Sequence, residues 1–503
     1  MLIRVHSRRI DLKMLEILIK FKPIAGRTTK KYSVPGILLT IALLLFFVIV
    51  SHKLLELGKH GDGVEYASVA RNMAEGRGSL WRPYFSDTFG TLYREHPPLI
   101  YWIQSLLFKI FGDGPYFEGV YGLGVGLVIL ACTALFWRRV RRDFQMPPAG
   151  AWWPILLLVA VPVFSYLSQT HRLVFSFAVF AVLAAYFAYR SMFAAEFAVV
   201  YSILAGIFTY LGFISKGPAA CFAFAVPLIY RITLPSRLSR AIIHTLVIVG
   251  VFSVALAATF KIYPDSFDFL KEFWESQIVA SLLNQRSATD PYYHLAERWF
   301  AEIIVPVIVA AVLMPIAGVS WRALRFNRQG LFFLLVGLSS SLPFMFSHRQ
   351  NIRYIFQSFP FYVLSLAFAT EAVAMQIEAA AAGRQKILMG LKILALLLLA
   401  AGTAATFYYK DHIDRRNPFY EDFYLQHIQL PARSIISICP PAIERDDWLF
   451  ADMQRFYKVS LSTEMGHAYL IVDKDSACVV PAGYQKVPQQ SPLRYLLYQK
   501  AAK

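Results

Sequence analysis

Long apolar runs separated by short polar and basic stretches set the pattern of this chain. A run of about 20 apolar residues is typical of a helix that spans a bilayer, whose hydrocarbon core is about 30 Å thick. Eleven such runs occur, at 35–57, 114–137, 151–167, 173–189, 197–214, 218–230, 241–260, 301–318, 330–346, 355–374 and 389–409. The pattern predicts an α-helical polytopic membrane protein with about 11–13 transmembrane helices.

One further apolar stretch, 97–111, begins with two prolines and is too short to cross a bilayer unaided. We predict that it forms an interfacial or re-entrant helix.

Basic residues give the orientation, because Lys and Arg concentrate in cytoplasmic loops. The first 34 residues contain nine of them: Arg4, Arg8, Arg9, Lys13, Lys20, Lys22, Arg27, Lys30 and Lys31. We therefore expect a multi-pass protein of the bacterial inner membrane, with a cytoplasmic basic segment at 1–34 and a transmembrane domain at 35–410. An odd number of spans then places the loops 58–113 and 261–298 and the tail 411–503 on the periplasmic side.

Composition supports this interpretation and excludes two others. The chain is 57% hydrophobic and only 16% charged, which is too apolar for a soluble enzyme. Its net charge of +18 would suggest nucleic acid as a partner of a soluble protein, but the basic residues lie between apolar runs. The expected partner is the lipid bilayer, with no nucleic acid.

The periplasmic tail predicts a small α/β lobe, because short alternating runs such as 468–472 are mixed with turn residues. A last helix is expected near 493–499. Cys439 and Cys478 both lie in this lobe, where a disulfide is compatible with an oxidising compartment but is not fixed by the sequence.

The first periplasmic loop contains the most informative polar residues. Asp62 stands between Gly61 and Gly63, where its carboxylate could accept a proton or contact a substrate hydroxyl. A solvated turn aspartate is the alternative, since Gly-Asp-Gly also suits a turn. The spacing from 64 to 73 predicts a helix with Glu65, Arg71 and Glu75 on its solvent-facing side.

A second group, Tyr93, Glu95 and His96, precedes two prolines that favour an extended backbone. Such a segment suits polar groups that meet a lipid headgroup, although an ordinary helix start explains the prolines equally well. For His96, a capping or packed imidazole is the alternative.

Basic residues also occur in short periplasmic connections, where the charge bias would exclude them. Together they suit binding of one phosphate, because Arg offers a planar fork and Lys a point charge. Individually each could be a loop charge or a side chain extending toward solvent. They are Arg172, Lys216, Arg349 and Arg353, with His348 and Tyr354 nearby and with Arg286 in the second large loop.

No cysteine, histidine or carboxylate motif has metal-ligand spacing, and no glycine-rich nucleotide motif is present. We expect that no cofactor is required. Glu95 with a loop histidine such as His294 is the one pair that could form a minor divalent metal site.

These motifs resemble those of the C-type polyprenyl-phosphate-sugar glycosyltransferases, in the branch of the protein O-mannosyltransferases and the lipid A aminoarabinose transferase. The resemblance extends from about residue 61 to 361. It is carried by Asp62 after the first span, the segment Tyr93-Arg94-Glu95-His96-Pro97-Pro98-Leu99, the sequence SKGP at 215–218, and Arg353-Tyr354 before a late span.

The resemblance implies the C-type glycosyltransferase fold and transfer of a sugar from a polyprenyl-phosphate carrier to a periplasmic acceptor, usually with inversion. Asp62 would be the catalytic base or would orient the acceptor. His96 stands where the aminoarabinose branch has a lysine that contacts the lipid phosphate. The remaining assignments are Lys216, Arg286 and Arg353 to the phosphate, and Tyr93, Glu95, Arg172, His348, Arg349 and Tyr354 to the substrate pocket.

The sequence departs from the family at one position. Many members carry a second aspartate after Arg-Leu, but here Val174 follows Arg172 and Leu173. This weakens any scheme with two carboxylates.

The sequence does not identify the acceptor. Lipid A, the lipopolysaccharide core or another envelope glycan is the first expectation, and Ser/Thr glycosylation of a protein is the alternative. A lipid or solute transporter is a more distant alternative, which would predict charges at mid-depth and inverted repeats.

Overall fold

Apolar helices make up most of the structure, a computed structural model that describes residues 33–57, 61–283, 285, 291, 293–345, 350–413, 419–424, 426–439 and 448–501. The helices, numbered along the chain, are α1 Val34–Ser51, α2 Asp62–Ala74, α3 Leu99–Phe111, α4 Phe117–Asp143, α5 Trp152–Val159, α6 Pro162–Thr170, α7 Leu173–Phe193, α8 Ala198–Lys216, α9 Val226–Thr233, α10 Leu238–Ile262, α11 Asp265–Phe273, α12 Ala280–Leu282, α13 His294–Ile316, α14 Arg328–Met345, α15 Phe359–Ala369, α16 Glu371–Ala381, α17 Gln385–Tyr408 and α18 Leu449–Asp452.

Each of the eleven predicted apolar runs is mostly helical in its described residues, which confirms the polytopic fold class. Within the described ranges, eight helical segments are long and apolar enough to span a membrane, and the pair α5–α6, bent by 74°, is a ninth candidate. The predicted interfacial stretch is the short apolar helix α3.

One of the eight segments, Ala198–Thr233, reverses direction after α8. An ideal β-carbon on Gly212 would lie 3.0 Å from the Ala220 β-carbon. A continuous helix would separate these positions by about 12 Å along its axis. Gly217, with a φ of 73°, ends α8 and allows the chain to turn into a 3-10 helix, Gly217–Ala225. The segment therefore accounts for two of the predicted runs.

The three segments predicted to be periplasmic lie together, on what we call the lobe side. Trp81 of the first loop packs edge-to-face on Phe269 of α11, with ring centroids 5.7 Å apart. Arg94 forms an ion pair with Glu272, also on α11. Ser68 of α2 lies 3.3 Å from the backbone oxygen of Ala451 in the tail.

The tail forms a small lobe around a five-stranded mixed sheet in the order β4-β3-β5-β7-β6. The strands are β3 Ile435–Ile438, β4 Ser460–Ser462, β5 Tyr469–Asp473, β6 Tyr484–Lys486 and β7 Tyr495–Lys500, after the short hairpin of β1 Gly78–Ser79 and β2 Arg82–Pro83. Strands β3–β4 and β3–β5 are parallel, whereas β7 is antiparallel to both β5 and β6.

The predicted last helix near 493–499 is wrong, because this segment is strand β7. Tyr495 and Leu497 are buried while their neighbours are partly exposed, which is the two-residue period of a strand. The expected α/β lobe is present, and Cys439 and Cys478 form a disulfide with a Cα–Cα distance of 6.3 Å.

The lobe docks on α2 and on the start of α4 through two buried arginines. Arg71 is 1% exposed and donates to the backbone oxygens of Gln454 and Arg455 at 2.7 and 3.3 Å. Arg455 in turn pairs with Asp113 and with Glu118, the latter at 2.7 Å. The prediction that Arg71 faces solvent is wrong, because the polar face of α2 meets the lobe instead of water.

Asp422 holds the start of β7 in place. Its buried carboxylate accepts hydrogen bonds from the backbone nitrogens of Arg494 and Tyr495 at 2.8 and 2.6 Å. The buried acceptor is thus satisfied by backbone donors. The domain limits at 34 and 410 remain a prediction.

Candidate functional site

Asp62 is the first residue of α2 and lies at the positive end of the helix dipole. Both flanking glycines are required by the surroundings. Gly61 has a φ of 101°, and a β-carbon there would lie 3.3 Å from Nη2 of Arg172. A β-carbon on Gly63 would lie 2.3 Å from the backbone oxygen of Thr170, so only glycine allows α2 to approach the end of α6 this closely.

The Asp62 carboxylate is bound by Arg172 through Nη1. The short turn between α6 and α7 aims this arginine at α2. His171 ends α6 in the left-handed region, with a φ of 51°, and its ring stacks on Tyr121 at 4.6 Å. The side chains of Asp62 and Arg172 are 31% and 13% exposed, so the pair is partly shielded from water.

Lys216 is held next to the same carboxylate at the end of α8. Gly217 has the positive φ needed to end the helix, and the 3-10 helix that contains Pro218 follows. The Lys216 Nζ lies 3.4 Å from Nε2 of His96 and 5.9 Å from the ring centre of Tyr354. Asp62 also lies within electrostatic range of Lys216.

Arg353 reaches this cluster from a 3-10 helix, Ile352–Ser358, and interacts electrostatically with Lys216. The Asn351 side chain caps that helix, accepting from the backbone nitrogen of Arg353 at 3.0 Å and from its Nε at 2.8 Å. We call His96, Arg172, Lys216 and Arg353 the basic cluster. The structure brings together these four residues, which the sequence predicted as phosphate or pocket residues.

Tyr93 and Glu95 lie beside the basic cluster. The Tyr93 hydroxyl donates to Glu95 at 3.4 Å, and its ring packs on Tyr101 with centroids 5.8 Å apart. Burial and the nearby Glu95 and Asp62 raise the pKa of Glu65 to about 8. The expectation that Glu65 faces bulk solvent is wrong, because its carboxyl group is largely buried near Tyr93 and Glu95.

Three predicted site residues, Arg286, His348 and Arg349, lie outside the described residues. Their assignments to the phosphate and the pocket remain predictions.

A cavity of about 460 Å³, which we call the lobe cavity, opens beside Tyr93 and Glu95. Four segments line it: α2, the loop before α3, the helical stretch from α11 onward, and α18 of the lobe. Glu65, Arg94, Glu272 and Phe450 are among its lining residues. The cavity therefore borders the basic cluster on the lobe side.

Among the described residues, no group of three or more histidines, cysteines or carboxylates lies close enough to hold a metal ion. The contacts of His294 include Glu297 and Arg298 on its own helix. The expectation that no cofactor is required remains a prediction.

Comparison with known proteins places this arrangement in a fold family. Residues 95–260 match the family described as dolichyl-phosphate-mannose-protein mannosyltransferase. The crystal structure of ArnT from Cupriavidus metallidurans bound to undecaprenyl phosphate superposes with a TM-score of 0.60 at 14% identity, covering 93% of this chain and 98% of that one. Its apo structure gives 0.59 at 15% identity, with coverages of 92% and 96%. The chain shares the fold of these two ArnT structures.

One further solved structure is less similar. The archaeal oligosaccharyltransferase AglB from Archaeoglobus fulgidus, in complex with an inhibitory peptide and a dolichol-phosphate, gives a TM-score of 0.41 at 13% identity, covering 86% of this chain and 69% of that one. The search of curated protein sequences finds no significant match.

Sequence reasoning missed two features of this candidate site. Glu65 follows Asp62 by three positions on α2, and this spacing places both side chains on one helix face. That signal could have included Glu65 in the site. Nothing in the sequence pattern indicated that Phe450 of the lobe lines the cavity.

Proposed function

We propose that the enzyme transfers a sugar from a polyprenyl-phosphate carrier to an acceptor hydroxyl at the periplasmic face of a bacterial inner membrane. The main support for this proposal is the basic cluster beside Asp62. A phosphate leaving group needs charge-assisted donors in a partly desolvated site, and Lys216, His96 and Arg353 supply a compact set.

The proposed reaction is a displacement at the anomeric carbon of the sugar. The acceptor oxygen forms the new bond to that carbon as the bond from the carbon to the phosphate oxygen breaks, and the electron pair leaves with the phosphate. Asp62 takes the proton of the acceptor hydroxyl, and attack from the face opposite the leaving group inverts the configuration. Arg172 holds the Asp62 carboxylate in position for this role.

The bound ligand in the ArnT structure is undecaprenyl phosphate, which supports a lipid carrier of this kind. The exposed apolar side chains of α3, Ile110 and Phe111, provide a surface along which a polyprenyl chain could lie in the bilayer.

We propose lipid A, the lipopolysaccharide core or another envelope glycan as the acceptor. A second candidate is Ser/Thr glycosylation of a protein, which the description of the matching family favours. Mass spectrometry of envelope lipids and glycoproteins from a strain that lacks the protein distinguishes these acceptors.

Binding of fluorescent undecaprenyl phosphate to the purified full-length protein tests the donor half of the proposal. We expect Lys216→Met to weaken binding about 10- to 100-fold, because one charge-assisted phosphate contact is lost. Lys271→Met is the matched control, since Lys271 is an exposed lysine of α11 on the lobe side, and it should bind as the wild type does. Wild-type binding by Lys216→Met, or no binding by the wild type, would overturn the proposal.

A further inference from the structure

The lobe cavity and the basic cluster have different chemistry although they adjoin. Glu65 interacts electrostatically with both Asp62 and Glu95, and Glu95 also interacts with Lys216. Glu65 and Glu95 line the lobe cavity, whereas Asp62 does not, so these two carboxyl groups connect the cavity with the surroundings of Asp62 and Lys216. A group held in the lobe cavity would therefore lie next to Glu65 and Glu95, close to Asp62.

The charges of the cavity do not suit an anion. Arg94 is the sole Lys or Arg among the described residues that line it, and its guanidinium is already paired with Glu272. Neither Glu65 nor Glu95 forms an ion pair with a described residue. A phosphate in this cavity would meet Glu95 without a cation of its own, which is electrostatically costly.

The rest of the lining suits a sugar. Phe89, which is 43% exposed, and Phe450 offer aromatic surfaces, and the side chains of Ser276 and Gln277 add hydroxyl and amide groups to the lining. Burial keeps Glu65 protonated at neutral pH, since its pKa is raised to about 8, so this carboxyl can donate as well as accept. Apolar faces combined with a few converging polar groups are typical of small-ligand sites.

We propose that the lobe cavity binds the acceptor as a glycan without phosphate groups, with a sugar hydroxyl directed at Asp62. This assignment rests on the proposed function, because it presumes that the basic cluster holds the lipid phosphate. Phe450 makes the lobe part of the acceptor site.

A peptide acceptor fits this cavity less well. An extended peptide is commonly held by main-chain hydrogen bonds to the edge of a sheet. None of the described lining residues belongs to a strand, and the polar groups that converge on the cavity come from side chains of helices and loops.

Protection of a single introduced cysteine tests the proposal on the full-length protein loaded with undecaprenyl phosphate. Leu92 lines the cavity and is 40% exposed, so Leu92→Cys provides a maleimide target there. The wild type gives the background of the native cysteines. Leu493→Cys is the matched control, because Leu493 is 45% exposed and does not line the cavity.

We expect cellobiose and chitobiose to slow the labelling of the Leu92→Cys variant at least about threefold at saturation, as occupancy of the cavity requires. Glucose 6-phosphate and a Ser/Thr-containing hexapeptide should give no protection at the same concentration, and labelling of the Leu493→Cys variant should be unaffected by every probe.

A double variant tests the role of Glu95. When Glu95→Gln is combined with Leu92→Cys, glucose 6-phosphate should begin to protect the introduced thiol, because the negative charge of Glu95 that repels the phosphate is gone.

Protection by the phosphosugar or the peptide alone, or by none of the probes, would overturn the assignment. Parallel measurement of undecaprenyl phosphate binding separates the two proposals. Normal lipid binding without protection by the saccharides would reject the acceptor site but not the donor site. If the wild type did not bind the lipid at all, the proposed function would be rejected.

Discussion

The Asp62 carboxylate accepts a hydrogen bond from the Arg172 guanidinium, although the two residues lie 110 positions apart in the chain. This contact joins the start of α2 to the turn between α6 and α7, and it fixes the carboxylate next to Lys216. Asp62 is thereby positioned by a fixed partner from a different part of the fold rather than left on a mobile turn.

Replacement of Asp62 by Asn should reduce sugar transfer by at least about 100-fold, since a general base typically contributes about 10²–10⁴ to the rate. Asn retains the size of the side chain and can still accept from Arg172. Asp265→Asn is the control, because Asp265 is the exposed first residue of α11, just as Asp62 is the first residue of α2. Equal transfer rates for the two variants would remove the catalytic role of Asp62.

Gly61→Ala should lower both stability and transfer. The positive φ at Gly61 alone costs alanine on the order of 1 kcal/mol, and the new methyl group also presses on Arg172. Gly76→Ala isolates the first effect, because Gly76 has a φ of 82° and no atom lies within 4 Å of the place that the added methyl group would occupy. We expect both variants to melt at a lower temperature than the wild type, Gly61→Ala at least as low as Gly76→Ala, and transfer to be lost only in Gly61→Ala. Normal transfer in Gly61→Ala would contradict this account.

The raised pKa of Glu65 makes stability depend on pH. The pKa is about 8 in the folded protein against 4.5 ordinarily, so the folded state binds the proton more tightly than the unfolded state. The resulting stabilisation is complete below the ordinary pKa and is lost as the pH rises through the folded value. Between about pH 5 and pH 8, the melting temperature should fall less in Glu65→Gln than in the wild type. Glu275→Gln removes an exposed carboxylate, so its melting temperature should change with pH as that of the wild type does. If the melting temperature of Glu65→Gln also changed with pH to the same extent as in the wild type, the raised pKa of Glu65 would be refuted.

Arg455→Met should strongly destabilise the protein, by about 3–5 kcal/mol, because it removes one member of the buried ion pair between Arg455 and Glu118. Arg433→Met is the comparison variant. Arg433 is 58% exposed and contacts Glu75 at 3.5 Å, so its loss should cost less than about 1 kcal/mol. Thermal unfolding of the purified proteins measures both, and equal effects would show that the buried contact does not hold the lobe.

The sequence predicts the apolar helices well, because a spanning helix must satisfy its backbone internally and cover it with apolar side chains. It fails at Arg71, whose lobe partners lie 383 and 384 positions away. Helical periodicity identifies a polar face but not what covers that face.

The site shows the same limit. The residue types of Asp62, Arg172, Lys216 and Arg353 and their places in loops are enough to select them from the sequence. The pairing of Asp62 with Arg172 depends on how α2 meets the end of α6, and that approach is set by packing around Gly63. The sequence predicts a helix in place of strand β7 because this short apolar run fits either period.

The docking of Arg71 also makes the helix that carries Asp62 depend on the folding of a distant segment. The backbone oxygens that receive its guanidinium belong to the lobe. Until the lobe has folded against it, helix α2 lacks its buried hydrogen-bond acceptors. The surroundings of Asp62 are therefore complete only once the membrane helices and the lobe have assembled.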